Sequence, residues 1–196
     1  MVNEELKLIL QKQDILLIGF MGSGKSYLGN ILATELNSEC LDTDEYIAQK
    51  QGMSIFTIFQ SKGEKYFRQL EKNLLQDLTF INSPQKRIIA SGGGFPIPKG
   101  NQKLIKIWNP LVIYLAPSFE TIYSRLQRSQ RPLIYRRSKK TIFQLWGKRY
   151  SIYQSIAHIA VVEEKMEKIF DTLQERIKLL LHSKLYSSVI ISNKDS

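Results

Sequence analysis

The chain has 196 residues, 43% of them hydrophobic, with one cysteine, six prolines and eleven glycines, which suits a globular domain with a sizeable core and excludes collagen-like, disordered and disulfide-scaffold classes. Its 28 Lys and Arg against 18 Asp and Glu leave a formal charge of +10, which taken whole points to nucleic acid, an anionic surface or polyanionic ligands. No apolar run reaches the ~18 residues of a membrane span, the acidic start Met1-Val2-Asn3-Glu4-Glu5 is unlike a secretory leader, and the lone Cys40 suits the reducing cytoplasm.

The first predicted element is a buried strand over 14–19, Asp-Ile-Leu-Leu-Ile-Gly. A glycine-rich turn leads into a helix from Tyr27 to Leu36, and Glu39 to Asp42 reads as a second strand. Two short helices, Asp44 to Gln51 and Ser54 to Gln60, are separated by Gly52, and a longer one runs from Glu64 to Ile81 with Phe67, Leu70, Leu74 and Leu78 on its apolar side. Arg87 to Ser91 is a strand ended by three glycines, and Pro98 to Ile107 is a helix with proline in its first turn. After the strand Leu111 to Leu115, Ser118 caps a helix towards Gln127. A helix from about Thr141 to Ile156, a strand Ile159 to Val162 and a closing helix Glu163 to Leu181 complete the series.

Strands alternating with helices mean right-handed crossovers and a parallel sheet. The expectation is a three-layer α/β fold in one domain, its five-stranded sheet covered by helices on both faces. The core spans about 14–182, and the polar stretch 183–196 is a tail.

Gly19-Phe20-Met21-Gly22-Ser23-Gly24-Lys25-Ser26 matches G-x-x-x-x-G-K-[ST] at every fixed position, between a strand and a helix as the phosphate loop requires. Its glycines let successive N–H groups turn inward at phosphate oxygens, and the helix N-terminus adds positive potential. Lys25 would reach the β- and γ-phosphates of a nucleoside triphosphate and Ser26 would ligate Mg²⁺. No guanine-reading N-K-x-D follows, so a small-molecule kinase leads over a GTPase.

Such a kinase needs acceptor chemistry at the same edge of the sheet. Asp42 and Asp44 stand where the second strand ends, one suited to Mg²⁺ through water and the other to an acceptor hydroxyl and its proton. The bland alternative is that Asp44 caps the next helix. Arg68 and Glu71 share a helix face at i, i+3. They are either a surface ion pair or a guanidinium aimed by Glu71 at an acceptor carboxylate. Gly92-Gly93-Gly94 would bring bare backbone to a ligand. The charge excess is also local: Arg125 to Arg149 carries nine basic side chains and no acid. That stretch is either a solvated loop or an anion-gripping lid, and nucleic acid would call for interleaved aromatics.

In chain order stand Gly-Ser-Gly-Lys-Ser, Asp42-x-Asp44, Phe67-Arg68-x-x-Glu71, Gly92-Gly93-Gly94, Arg131-Pro132-Leu133-Ile134 and Arg149-x-x-x-Tyr153. Together they resemble the shikimate kinases over roughly residues 14–165. The resemblance implies a P-loop NTPase fold with a mobile lid at about 129–145, and transfer of the ATP γ-phosphate to the 3-hydroxyl of shikimate in aromatic amino acid biosynthesis. By that likeness Gly22, Ser23, Gly24, Lys25, Ser26, Tyr27, Arg125 and Arg131 hold ATP, with Arg125 on adenine and Arg131 reaching from the lid. Asp44, Phe59, Phe67, Arg68, Gly92, Gly93, Gly94 and Arg149 meet shikimate, with Glu71 steadying Arg68. Catalysis falls to Lys25, Asp42, Asp44 and Arg131, and Mg²⁺ to Ser26 and, through water, Asp42.

Tyr27 departs from the family's usual Thr. The last 20 to 30 residues run past the usual family end, and His158 and His182 have no partners at ligand spacing, so both histidines read as structural, as does Cys40 in its strand. A monomer is expected, with neither a nucleic-acid nor a membrane partner. The rivals are a kinase for gluconate or a nucleoside monophosphate, and a nucleotide-binding module without catalysis.

Overall fold

The computed structural model describes residues 7, 10–81, 86–127, 137–162, 168–173 and 175–179. Five parallel strands, β1 (Ile15–Ile18), β2 (Cys40–Asp42), β3 (Ile88–Ala90), β4 (Leu111–Leu115) and β5 (Ile159–Val161), line up in the order β2-β3-β1-β4-β5. Leu16 lies opposite Ile89 on one side and Val112 on the other.

Every residue of β1 and β4 is buried, because helices cover both faces. Side-chain alternation divides the core accordingly. Leu16, Ile18, Val112 and Tyr114 pack with Phe67, Leu74, Ile105 and Tyr153, while Ile15, Leu17, Leu111 and Ile113 pack with Leu28, Leu32, Ile169 and Leu173. The first layer draws on α3 (Ile55–Phe80), α4 (Lys99–Trp108), α5 (Phe119–Leu126) and α6 (Lys139–Ile156); the second draws on α1 (Lys25–Glu35) and helical residues within 168–179. The expected three-layer architecture is therefore present.

Helix boundaries follow the local chemistry. Ser54, Ser118 and Ser138 each accept the N–H three residues on, starting α3, α5 and α6. The helices expected over 54–60 and 64–81 are both present, running together in α3 across a break at Gly63, where φ is 79° and ψ 168°. Two expectations need correction. Helix α2 (Thr43–Gln51) begins one residue early because Asp42, not Asp44, is its cap. Pro98 is the N-cap of α4 rather than part of its first turn.

At the end of the sheet away from the phosphate loop, Asp14 accepts hydrogen bonds from Arg87 N, Nε and Nη2 at 2.7, 3.1 and 2.6 Å and from Trp108 Nε1 at 2.8 Å. Burial alone would raise this carboxyl's pKa, but Arg87 and Trp108 bring it below the usual value. His158 Nδ1 accepts the Val112 N–H at 3.0 Å, the structural role expected of it. Cys40 is half-buried in the edge strand, and burial pushes its thiol up to about 11, which keeps it unreactive. Of the expected lid, residues 129–136 lie outside the described residues and Lys139 onward is the start of α6; the tail 183–196, with His182, also lies outside them.

Candidate active site

The carboxyl ends of β1, β2 and β3 open onto one cleft of about 870 Å³, the place where open parallel sheets hold ligands. Its first wall is the loop between β1 and α1. Gly22 and Gly24 hold φ values of 80° and 101°, which L side chains rarely adopt. Gly24 is the N-cap of α1 without a side-chain cap, so the first-turn amides and the helix dipole face the cleft. Lys25 is 8% exposed. Its Nζ donates to Phe20 O at 2.9 Å and Ser23 Oγ at 3.3 Å, which pins the ammonium over the loop. Arg125 Nη1 donates to Gly22 O at 3.2 Å from α5, and Tyr27 stands largely exposed at the rim.

At the end of β2, Asp42 serves two elements at once. Its Oδ2 accepts the Ser26 hydroxyl at 2.5 Å, and its Oδ1 accepts the N–H groups of Asp44 and Glu45 at 2.9 and 3.3 Å. Capping by Asp42 overturns the alternative in which Asp44 caps, and it leaves the Asp44 side chain turned into the cleft beneath Gly92. Thr43 Oγ1, fully buried, accepts the Gly92 N–H at 2.8 Å and ties the ends of β2 and β3 together.

The opposite wall is α3. Phe59 and Phe67 pack with ring centroids 5.0 Å apart. Arg68 Nη1 donates to Glu71 Oε2 at 2.6 Å, while its Nε and Nη2 donate to Glu64 Oε1 at 3.2 and 2.8 Å. The guanidinium lies against Gly94, where a methyl group would collide with it. Arg149, 7% exposed, sits one layer deeper and does not line the cleft. Its Nη1 donates to Gly93 O at 3.1 Å, and the Tyr153 hydroxyl donates to the same oxygen at 2.6 Å. Burial raises the Tyr153 hydroxyl to about 12, so it stays a donor.

Glu71 is fully buried, and its Oε1 has no hydrogen-bond partner among the described residues. Desolvation pushes its carboxyl up to about 7 against the pull of Arg68, with the charge of Asp44 adding to the rise. A carboxyl with a folded pKa above its unfolded one contributes stability that is complete below about 4.5 and lost as pH rises through about 7. Glu71→Gln is therefore expected to remove on the order of 3 kcal/mol of pH-dependent stability across that window. Urea midpoints of both proteins from pH 4.5 to 8 check this; parallel curves would contradict it.

The cleft thus brings together Gly22 to Tyr27, Asp42, Asp44, Phe59, Phe67, Arg68, Glu71, Gly92 to Gly94 and Arg125, whereas Arg131 lies outside the described residues. Met21, Glu45, Leu126 and the Ser54-Ile55-Phe56 start of α3 also line it and were not anticipated. A signal for the last group existed, since Ile55 and Phe59 are apolar at i, i+4 in the first turns of a helix.

Comparison with known proteins accords with this geometry. A family model described as shikimate kinase matches residues 21–178. A shikimate kinase from a Sulfurihydrogenibium species is 37% identical over 169 residues, covering 85% of this chain and 98% of that protein. Among solved structures, shikimate kinase from Acinetobacter baumannii in complex with shikimate superposes with a TM-score of 0.77 at 31% identity, covering 91% of this chain and 99% of the other. A gluconokinase from Sinorhizobium meliloti reaches a TM-score of 0.53 at 14% identity, over 90% of this chain and 97% of its own, and shares the fold alone.

Proposed function

The chain belongs to the shikimate kinase family and is an ATP-dependent kinase that phosphorylates shikimate, and we propose that the cleft divides the reaction among its residues as follows. The phosphate loop from Gly22 to Tyr27 cradles the triphosphate, with Lys25 at the β- and γ-phosphates, and Arg125, which lines the cleft and donates to Gly22 O, stacks on the base. By the family resemblance, Arg131, which lies outside the described residues, would add positive charge at the γ-phosphate. The Ser26 hydroxyl and Asp42 carboxylate are hard oxygen donors in contact, a set that fits Mg²⁺, with Asp42 acting through water. Magnesium held by these two residues would neutralise phosphate charge during the transfer.

On the acceptor side, Arg68 grips the shikimate carboxylate with Arg149 adding positive charge from behind Gly93, the rings of Phe59 and Phe67 back the shikimate ring, and Gly92 to Gly94 offer backbone to its hydroxyls. Asp44 accepts the proton of the 3-hydroxyl as that oxygen attacks the γ-phosphorus. The observation that carries this reading is the pair of guanidiniums around one glycine loop, Arg68 against Gly94 and Arg149 on Gly93 O. Two fixed cations beside an inward carboxylate suit an acceptor that carries both an acid and a hydroxyl.

Among the described residues no helix is long and apolar enough to cross a membrane, and the single cysteine supports a cytoplasmic address.

ADP release with Mg²⁺-ATP, followed with shikimate, gluconate or a nucleoside monophosphate as acceptor, tests the reading. Stimulation by shikimate alone is expected; stimulation by another acceptor instead would overturn the acceptor assignment. Arg68→Ala should raise the shikimate KM by about 10- to 100-fold, the worth of a charge-assisted pair, and leave that for ATP within about threefold. An equal loss for both substrates would remove Arg68 from the acceptor grip.

A further inference from the structure

Arg68 has a second carboxylate partner whose position differs from that of Glu71. Glu71 is buried and takes Nη1, while Glu64 is half exposed and takes Nε and Nη2 with one oxygen. Those two nitrogens form the side-on edge of the guanidinium, the fork that a carboxylate engages most fully. Resting on the reading of Arg68 as acceptor grip, we propose that Glu64 is an internal stand-in for the shikimate carboxylate, which must displace it to reach that edge.

The surroundings make the exchange feasible. Glu64 directly follows Gly63, whose φ of 79° and ψ of 168° break the helix, so its carboxylate sits at the start of the helical stretch that runs on to Phe80. A carboxylate released there meets water and the positive end of that stretch. Glu71, by contrast, is enclosed and cannot leave, so it holds Arg68 through the exchange. Glu64 also keeps the cation neutralised until an acceptor with its own carboxylate arrives. An acceptor without an acid gains nothing from displacing it. Glu64 is thus a specificity-determining residue that acts through Arg68.

An exposed i, i+4 pair is worth little, so the competition is modest. Glu64→Gln is expected to lower the shikimate KM about two- to fivefold, with kcat and the KM for ATP unchanged. Shikimate affinity by titration calorimetry should rise by the same factor. In the Arg68→Ala background Glu64→Gln should have no effect on the KM, because the competitor then has nothing to hold. A raised shikimate KM in Glu64→Gln would overturn the proposal and make Glu64 a residue that pre-aligns Arg68. An unchanged KM in Glu64→Gln, with Arg68→Ala still weak for shikimate, would also overturn it while leaving the grip intact. A normal KM in Arg68→Ala would instead refute the underlying grip.

Discussion

Lys25→Met is expected to lower kcat by at least about 10²-fold, the cost of removing one fixed donor from a site where transition-state charge develops. The structure makes this a clean substitution. Lys25 Nζ bonds within its own loop, to Phe20 O and Ser23 Oγ. The curl of that loop rests on the left-handed Gly22 and Gly24 rather than on the ammonium. Methionine keeps most of the buried stem, so the fold and the other phosphate-facing amides should persist. The ammonium differs from those amides in carrying a full charge, 8% exposed and held out of water, where its field is screened least. Negative charge spreads towards the leaving bridge oxygen as the γ-phosphoryl transfers, and Lys25 is the fixed cation we propose for that position. The loss should fall mainly on kcat, with a smaller rise in the KM for ATP. Steady-state rates with saturating shikimate and an unchanged melting temperature would check it; a kcat within threefold of the parent would remove Lys25 from the chemistry.

The elements that carry this prediction were legible in the residues because they depend on local pattern. The run Ile15 to Ile18, the glycines after it and Lys25 specify strand, loop and helix N-terminus within a dozen positions. The acceptor side was legible only as candidates. Spacing puts Arg68 and Glu71 on one helix face, but only the fold shows that the face is buried against the end of β3 and that Glu64 shares the guanidinium. Spacing likewise cannot separate Asp42 from Asp44 as cap, since both stand within two residues of the start of the helix. The difference arises from the Ser26 hydroxyl sixteen residues earlier, which holds the Asp42 carboxylate beside the first-turn amides of α2. The break at Gly63 was anticipated as a gap between two helices, and it sets Glu64 at the start of the second of them.

That difference between the two aspartates makes Asp44→Asn the most informative substitution at the acceptor end. Asp42 caps α2 with its own Oδ1 and binds the phosphate-loop serine with Oδ2, so replacing it would disturb the fold, the metal donors and the chemistry together. Asp44 gives only its backbone N–H to the cap. Its carboxylate points under Gly92 into the cleft, near enough to Glu71 to raise that group's pKa. Asparagine fits the same space and removes one of two neighbouring negative charges, so the folded protein should be at least as stable as the parent. An amide cannot take the proton of the attacking hydroxyl. The expected fall in kcat is therefore about 10²- to 10⁴-fold, the usual worth of a positioned base. The KM for ATP should move less than about threefold, since Ser26, Lys25 and the glycine loop are untouched. A variant that keeps the parent's kcat would mean that proton transfer needs no side-chain base, leaving Asp44 as a hydrogen-bonding partner for the acceptor hydroxyls and the phosphate-side charges as the source of the acceleration.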